Sequence, residues 1–119
     1  MNEQEVLQIL GKVGAVITGS HIVYTSGMHG TAYVNKDAVY PELEESDALA
    51  TALAQQFLLD EVRVVIGPAI AGALFARDVA RKLSYLTGER IRPVYAEKSE
   101  TGDAFVIKRG YDKLIAGKR

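Results

Sequence analysis

Gly67-Pro68-Ala69-Ile70-Ala71-Gly72 stands between a run of β-branched residues and a helical stretch. Where a buried strand turns into a helix, the chain presents free backbone N–H groups at the positive end of the helix dipole. Small residues there let an anion approach the backbone, which is phosphate-holding chemistry. Ligands of parallel sheets also gather at the carboxyl ends of the strands. The pattern is neither Gly-x-Gly-x-x-Gly nor Gly-x-x-x-x-Gly-Lys-Ser/Thr, which disfavours a dinucleotide fold and a nucleoside-triphosphatase loop. The other reading of the same six residues is a tight turn whose glycines only let helix and strand pack.

A second group is Thr25-Ser26-Gly27-Met28-His29-Gly30 followed by Tyr33-Val34-Asn35-Lys36-Asp37. It offers hydroxyls, backbone amides, an aromatic face, an amide and an ammonium, a set able to hold a flat polar ring. An ordinary hairpin turn with a polar edge has the same composition. A third is Ala96-Glu97-Lys98 at the end of a strand pattern, where Lys98 can reach an anion or simply stand in solvent. His21 and His29 are eight residues apart with no acidic partner in register, so no metal site is expected. The acids Glu42, Glu44, Glu45 and Asp47 fit the start of a helix rather than a metal site.

The elements that must position these groups follow from periodicity. Val6, Leu7, Ile9, Leu10 and Val13 are spaced for a helix that stops at Gly11 and Gly14. His21–Thr25 and Thr31–Asn35 read as two short strands of one hairpin, joined by the turn 26–30. Leu49, Leu53 and Phe57 are spaced as the buried stripe of the next helix. Val62-Arg63-Val64-Val65-Ile66 reads as a buried strand of a parallel sheet. Residues 73–83 read as a helix with Ala76, Val79, Ala80 and Leu83 on one face, and 91–96 as the next strand. Residues 62–96 thus make a right-handed βαβ unit. Phe105–Lys108 is a further possible strand, and the basic residues near the end are a solvated surface.

The chain has 119 residues, one domain by size and long enough for a core. Apolar residues are 48% and charged residues 24%, which disfavours disorder and coiled coil. There is no cysteine, which removes disulfides, zinc–thiolate sites and thiol nucleophiles. No apolar run is long enough for a membrane span, and the acidic start lacks the pattern of a signal peptide. A cytoplasmic protein fits. The net charge of −1 gives no sign of a nucleic acid or membrane partner.

Three segments, in order, complete a pattern: His21–Gly27 with Tyr33–Asp37, Val64–Gly72, and Tyr95-Ala96-Glu97-Lys98 with Lys108-Arg109-Gly110-Tyr111. Together they resemble the bacterial and archaeal orotate phosphoribosyltransferases of the type I phosphoribosyltransferase fold, over nearly the whole chain. The resemblance implies an α/β fold: a parallel sheet with flanking helices and a small N-terminal hood. The hood would occupy about residues 1–40 and the core 41–119, within a single domain.

What the resemblance implies is attack of orotate on the anomeric carbon of 5-phosphoribosyl 1-diphosphate, giving orotidine 5′-monophosphate and diphosphate in pyrimidine biosynthesis. Magnesium would come with the substrate diphosphate, with no protein ligands assigned to it. Thr25, Ser26, Gly27, Tyr33, Val34, Asn35 and Lys36 match positions that hold the base. Gly67, Pro68, Ala69, Ile70, Ala71 and Gly72 match the diphosphate loop, and Lys98 matches a basic catalytic position beside it. A homodimer is implied. Many members carry a lysine where Thr25 stands. The family's acidic pair and Thr-Thr-Gly-Gly-Ser-like loop would begin directly after Arg119. The resemblance therefore implies a C-terminally truncated chain that does not turn over by itself. A purine or xanthine phosphoribosyltransferase relative and a non-catalytic regulator with the same fold are the alternative readings.

Overall fold

The computed structural model describes residues 1–119. They form two compact units, Met1–Ser46 and Asp47–Arg119.

The first unit opens with α1 (Glu3–Lys12), which starts where Asn2 supplies a capping box. The Asn2 side chain accepts the Glu5 N–H at 2.8 Å, and the Glu5 carboxylate accepts the Asn2 N–H at 3.3 Å. Two otherwise orphaned donors are satisfied in this way. Gly11 lies inside the helix, and Gly14 ends it, with φ +73°. The Ala15 N–H reaches back to the Leu10 carbonyl and that of Gly14 to Gly11, a Schellman closure.

Four two-residue strands follow. β1 (Val16–Ile17) pairs antiparallel with β4 (Tyr33–Val34), and β2 (Ile22–Val23) with β3 (His29–Gly30). The single hairpin expected between 21–25 and 31–35 is therefore replaced by two ladders. The cause is a tighter turn. The Tyr24 N–H donates to Met28 and the Gly27 N–H to Tyr24, both at 2.8 Å, with Gly27 at φ +86°. Closing at 24–28 pairs Val23 with His29 and leaves residues 33–34 for β1. Asn35 then caps a 3-10 turn at Lys36–Ala38. Ala15, Val39 and Ser46 are buried in this unit.

α2 (Leu43–Gln55) contains the boundary between the units. Its buried face is Ser46, Ala50 and Ala54 rather than the predicted Leu49, Leu53 and Phe57. Leu53 and Phe57 are 41% and 42% exposed, and Phe57 lies beyond the helix end. Of these small residues, Ala50 and Ala54 belong to the core with Val79, Ala80 and Leu83.

In the second unit β5 (Val64–Pro68), α3 (Ala71–Thr87) and β6 (Arg92–Lys98) make the expected strand–helix–strand unit, with β5 and β6 parallel. β7 (Phe105–Val106) adds antiparallel to β6, giving the order β5-β6-β7. β5 is thus an edge strand. Ile66 is 48% exposed, so the strand is not buried on both faces as its composition predicts. A short α4 (Tyr111–Ile115) follows, for which the sequence offers no helical signal of its own. Ala50, Ala54, Val79, Ala80, Leu83 and Ile91 form the core, with Val62, Val65 and Phe75 against it. Ala76, Val79, Ala80 and Leu83 are the buried face of α3, as their spacing predicts. α3 ends at Gly88, φ +73°.

Candidate functional site

The turn at the end of β5 is shorter than the six-residue motif. Gly67 and Pro68 belong to the strand, and Ala71 and Gly72 to α3, so only Ala69 and Ile70 connect them, through a cis peptide bond. Both glycines are packing residues. The Gly72 carbonyl occupies the space a side chain on Gly67 would need, and a Cβ on Gly72 would lie 2.5 Å from the Pro68 ring. The packing reading of the motif holds at both glycines. The glycines draw helix against strand, and this close approach sets the helix start directly at the strand end.

Donors at this turn divide cleanly. Pro68 has no N–H. The Ala69 N–H goes to the Ala96 carbonyl at 2.8 Å, and that of Ala73 to Ile70 at 3.1 Å. Ile70 caps α3 without any side-chain hydrogen bond. The N–H groups of Ile70, Ala71 and Gly72 have no partner in the chain. They are three open donors at the positive end of a 17-residue helix.

Lys98 ends β6, whose register with β5 pairs Pro68 with Ala96, so the two strand ends stand side by side. Successive strand residues point to opposite faces. Glu97 and Tyr95 share one face, with Arg109 and Lys108. Glu97 accepts from Arg109 Nε and Nη2, each at 3.2 Å, and lies 3.8 Å from Lys108 Nζ. Arg109 also lies over the Tyr95 ring at 6.0 Å, and Tyr95 meets Tyr111 edge to face at 5.4 Å. Glu97 raises the Arg109 pKa chiefly through that hydrogen bond. Lys98 leaves on the other face, exposed and without an acidic partner. It is the free cation of the three. The Glu97–Arg109 clamp was not foreseen in the sequence, because it joins positions twelve apart through the β6–β7 turn.

In the first unit, Ile22, Val23, Tyr24, Thr25, Ser26 and Tyr33 line a hollow of about 460 Å³. Three of the predicted base-holding residues, Thr25, Ser26 and Tyr33, are brought together there, and Gly27 closes the turn beside them. Val34, Asn35 and Lys36 do not line it. Val34 pairs with Val16, the Asn35 side chain accepts the Asp37 N–H at 3.3 Å, and Lys36 begins the 3-10 turn. The Ser26 hydroxyl accepts the Met28 N–H at 3.3 Å. Tyr24 was missed by sequence reasoning. Its hydroxyl donates to the Ala32 carbonyl at 2.6 Å, and its ring fills the space beside Gly30. His21 and His29 stack edge to face at 4.7 Å. No group of three His, Cys, Asp or Glu side chains converges as a metal site.

Comparison with known proteins agrees with this architecture. The chain is 34% identical over 119 residues to an orotate phosphoribosyltransferase of Thermoanaerobacter sp. (strain X514), covering 97% of this chain and 59% of that protein. It is 34% identical over 111 residues to the enzyme of the same name from Pelotomaculum thermopropionicum, covering 93% and 54%. Among solved structures it matches orotate phosphoribosyltransferase from Aeropyrum pernix with a TM-score of 0.63 at 23% identity, over 87% of this chain and 55% of that one. The Francisella tularensis structure of that name gives 0.59 at 19%, over 88% and 50%. No family model matches the chain. The fold is that of the type I phosphoribosyltransferases. By sequence the chain is a relative of the orotate phosphoribosyltransferases and spans between about half and three fifths of the length of these curated relatives. No helix is long and apolar enough to cross a membrane.

Proposed function

We propose that this chain takes part in 5-phosphoribosyl transfer to orotate, with 5-phosphoribosyl 1-diphosphate as the donor. A ring nitrogen of orotate gives up its proton to solvent and forms a bond to the anomeric carbon, while the bond from that carbon to the diphosphate oxygen breaks and its electron pair leaves on the diphosphate. The products are orotidine 5′-monophosphate and diphosphate. Charge develops on the leaving diphosphate, so fixed donors aimed at it lower the barrier. The N–H groups of Ile70, Ala71 and Gly72 are the proposed donors, and Lys98 the proposed cation. The observation that carries the reading is these three unpartnered amides at the end of β5, next to the strand that ends in Lys98.

Thr25, Ser26 and Tyr33 are the proposed contacts for the base, two hydroxyls and an aromatic face around one hollow. Magnesium supplies charge neutralisation on the diphosphate. In this proposal it arrives on the oxygens of the substrate diphosphate. A cytoplasmic homodimer, with small-molecule substrates and neither nucleic acid nor membrane as partner, completes the proposal.

Calorimetric titration tests it. The reading expects 5-phosphoribosyl 1-diphosphate with magnesium to bind with one-to-one stoichiometry, and Lys98→Gln to weaken that binding. Equal affinity for ribose 5-phosphate, which lacks the diphosphate, would sink the proposal.

A further inference from the structure

β6 ends on two neighbouring residues of opposite charge, Glu97 and Lys98. Successive strand residues point to opposite faces, so the carboxylate and the ammonium leave the strand on different sides. Their Cα atoms are nevertheless only about 3.8 Å apart. An anion drawn to Lys98 at the strand end therefore has a carboxylate one residue away. Glu100 and Asp103, the other acids of the β6–β7 turn, are exposed and screened by water, whereas the Glu97 side chain is only 23% exposed. Its field is the least screened of the three.

The chain answers this charge with Arg109. Its Nε and Nη2 both donate to Glu97 Oε1 at 3.2 Å, across the β6–β7 turn. Lys108 faces the other carboxylate oxygen, but at 3.8 Å it is beyond hydrogen-bond reach. Arg109 is thus the principal partner. Its backbone is unusual. Arg109 has φ +62° and Gly110 φ +78°, two consecutive left-handed residues. Glycine adopts this conformation freely and arginine does not. The reversal carries the guanidinium back over β6, where it lies 6.0 Å from the centre of the Tyr95 ring. Tyr95 and Glu97 are two apart in β6, so ring and carboxylate hold the guanidinium on one face of the strand. Tyr111, edge to face with Tyr95 at 5.4 Å, completes the group.

We propose that Arg109 is a positioning residue for the diphosphate site: it holds the Glu97 carboxylate on the face of β6 away from Lys98, so that the strand end presents Lys98 alone to an anion. The inference rests on the reading of this strand end as part of a diphosphate site. Without the guanidinium, the carboxylate is free to turn toward the strand end. There it repels the diphosphate or pairs with Lys98. Lys108 does not replace Arg109, because its side chain is 52% exposed and makes no hydrogen bond to Glu97. Affinity then depends on a residue that need not touch a phosphate oxygen.

The test is calorimetric titration of inorganic diphosphate into the parent chain and its variants at low ionic strength. Arg109 is exposed, so its variants should fold. Arg109→Gln should weaken binding about three- to tenfold, the size of one uncompensated charge at roughly 10 Å from a multivalent anion. That loss should shrink at high salt. Arg109→Lys keeps the cation and should lose less than Arg109→Gln. Glu97→Gln alone should bind no more weakly than the parent. The double variant Glu97→Gln, Arg109→Gln should return to within about twofold of the parent, because the carboxylate that needed holding is gone. An Arg109→Gln chain that binds like the parent would overturn the proposal. So would a double variant as weak as Arg109→Gln, since the arginine would then act by bracing the turn and not through the carboxylate. A parent chain that binds no diphosphate would sink the reading of the site itself and this inference with it. A parent that binds while every variant matches it would sink this inference alone.

Discussion

Gly67 and Gly72 touch: the carbonyl of Gly72 fills the volume that a side chain on Gly67 would take. This contact joins the end of β5 to the first turn of α3. It leaves the Ile70, Ala71 and Gly72 amides open at the strand end. A methyl group at position 67 must push the helix away. Gly67→Ala should therefore destabilise the chain by about 1–3 kcal/mol, the usual cost of overpacking. Gly11 provides the contrast. It lies in α1, and a Cβ there meets nothing within 4 Å. Gly11→Ala should be neutral or stabilising by up to ~1 kcal/mol, since alanine loses less backbone freedom on folding. Urea denaturation of both variants reads the difference, and equal effects would contradict the packing account.

The Tyr24 hydroxyl should govern the turn that carries Thr25 and Ser26. Tyr24→Phe removes the 2.6 Å bond to the Ala32 carbonyl and keeps the ring beside Gly30. Faster hydrogen exchange is expected at the Gly27 amide, which is bonded to the Tyr24 carbonyl. Gly30→Ala should do more harm, because its methyl collides with the ring. Unchanged exchange in both variants would show that the turn is held by its backbone bonds alone.

The β6–β7 turn should loosen in acid. Asp103 accepts from the hydroxyls of Thr101 and Ser99, which hold its carboxyl below the usual carboxylate range. A carboxylate whose pKa is lowered on folding contributes its stability above the ordinary value of about 3.9 and loses it as pH falls through the lowered one. The Gly102 amide, bonded to the Ser99 carbonyl at 2.9 Å, reports the turn. Its NMR shift should stay constant from neutral pH down to the carboxylate range and change below it. Asp103→Ala should abolish that titration.

Much of this was legible in the sequence for physical reasons. Val64–Ile66 is a β-branched run, Ile91, Val94 and Tyr95 mark a second strand, and the two flank an amphipathic helix, so a βαβ unit follows from periodicity and length. The strand ends then place Gly67–Gly72 and Lys98 side by side. What was not legible depends on pairing at a distance. Leu49, Leu53 and Phe57 have helical spacing, yet the packed face of α2 is Ser46, Ala50 and Ala54. Hydropathy marks the larger residues, while the contact with neighbouring elements selects the small ones. Composition marks the short strands of the first unit, but the turn bonds of Tyr24 and Gly27 reset their register. Of the predicted base contacts, Thr25, Ser26 and Tyr33 share a hollow, whereas the Asn35 side chain serves its own turn.

Lys98 and Lys108 should differ although both are exposed lysines near the same strand end. Lys108 lies 3.8 Å from Glu97, and Lys98 has no such partner. Lys98→Gln should lower diphosphate affinity about tenfold, in line with the ~1.5–3 kcal/mol of a hydrogen bond to a charged group. Lys108→Gln should change it less than about twofold, as expected of a cation already paired at the surface. Calorimetry with inorganic diphosphate distinguishes them, and the reverse order would reassign the cation.

Diphosphate titration followed at individual backbone amides tests the central claim most directly. The account predicts saturable shifts at Ile70, Ala71 and Gly72, whose N–H groups are open. Smaller changes are predicted at Ala69 and Ala73, whose N–H groups are bonded to Ala96 and Ile70. Saturable binding that moves other residues while Ile70, Ala71 and Gly72 stay still would place the anion elsewhere and contradict the account.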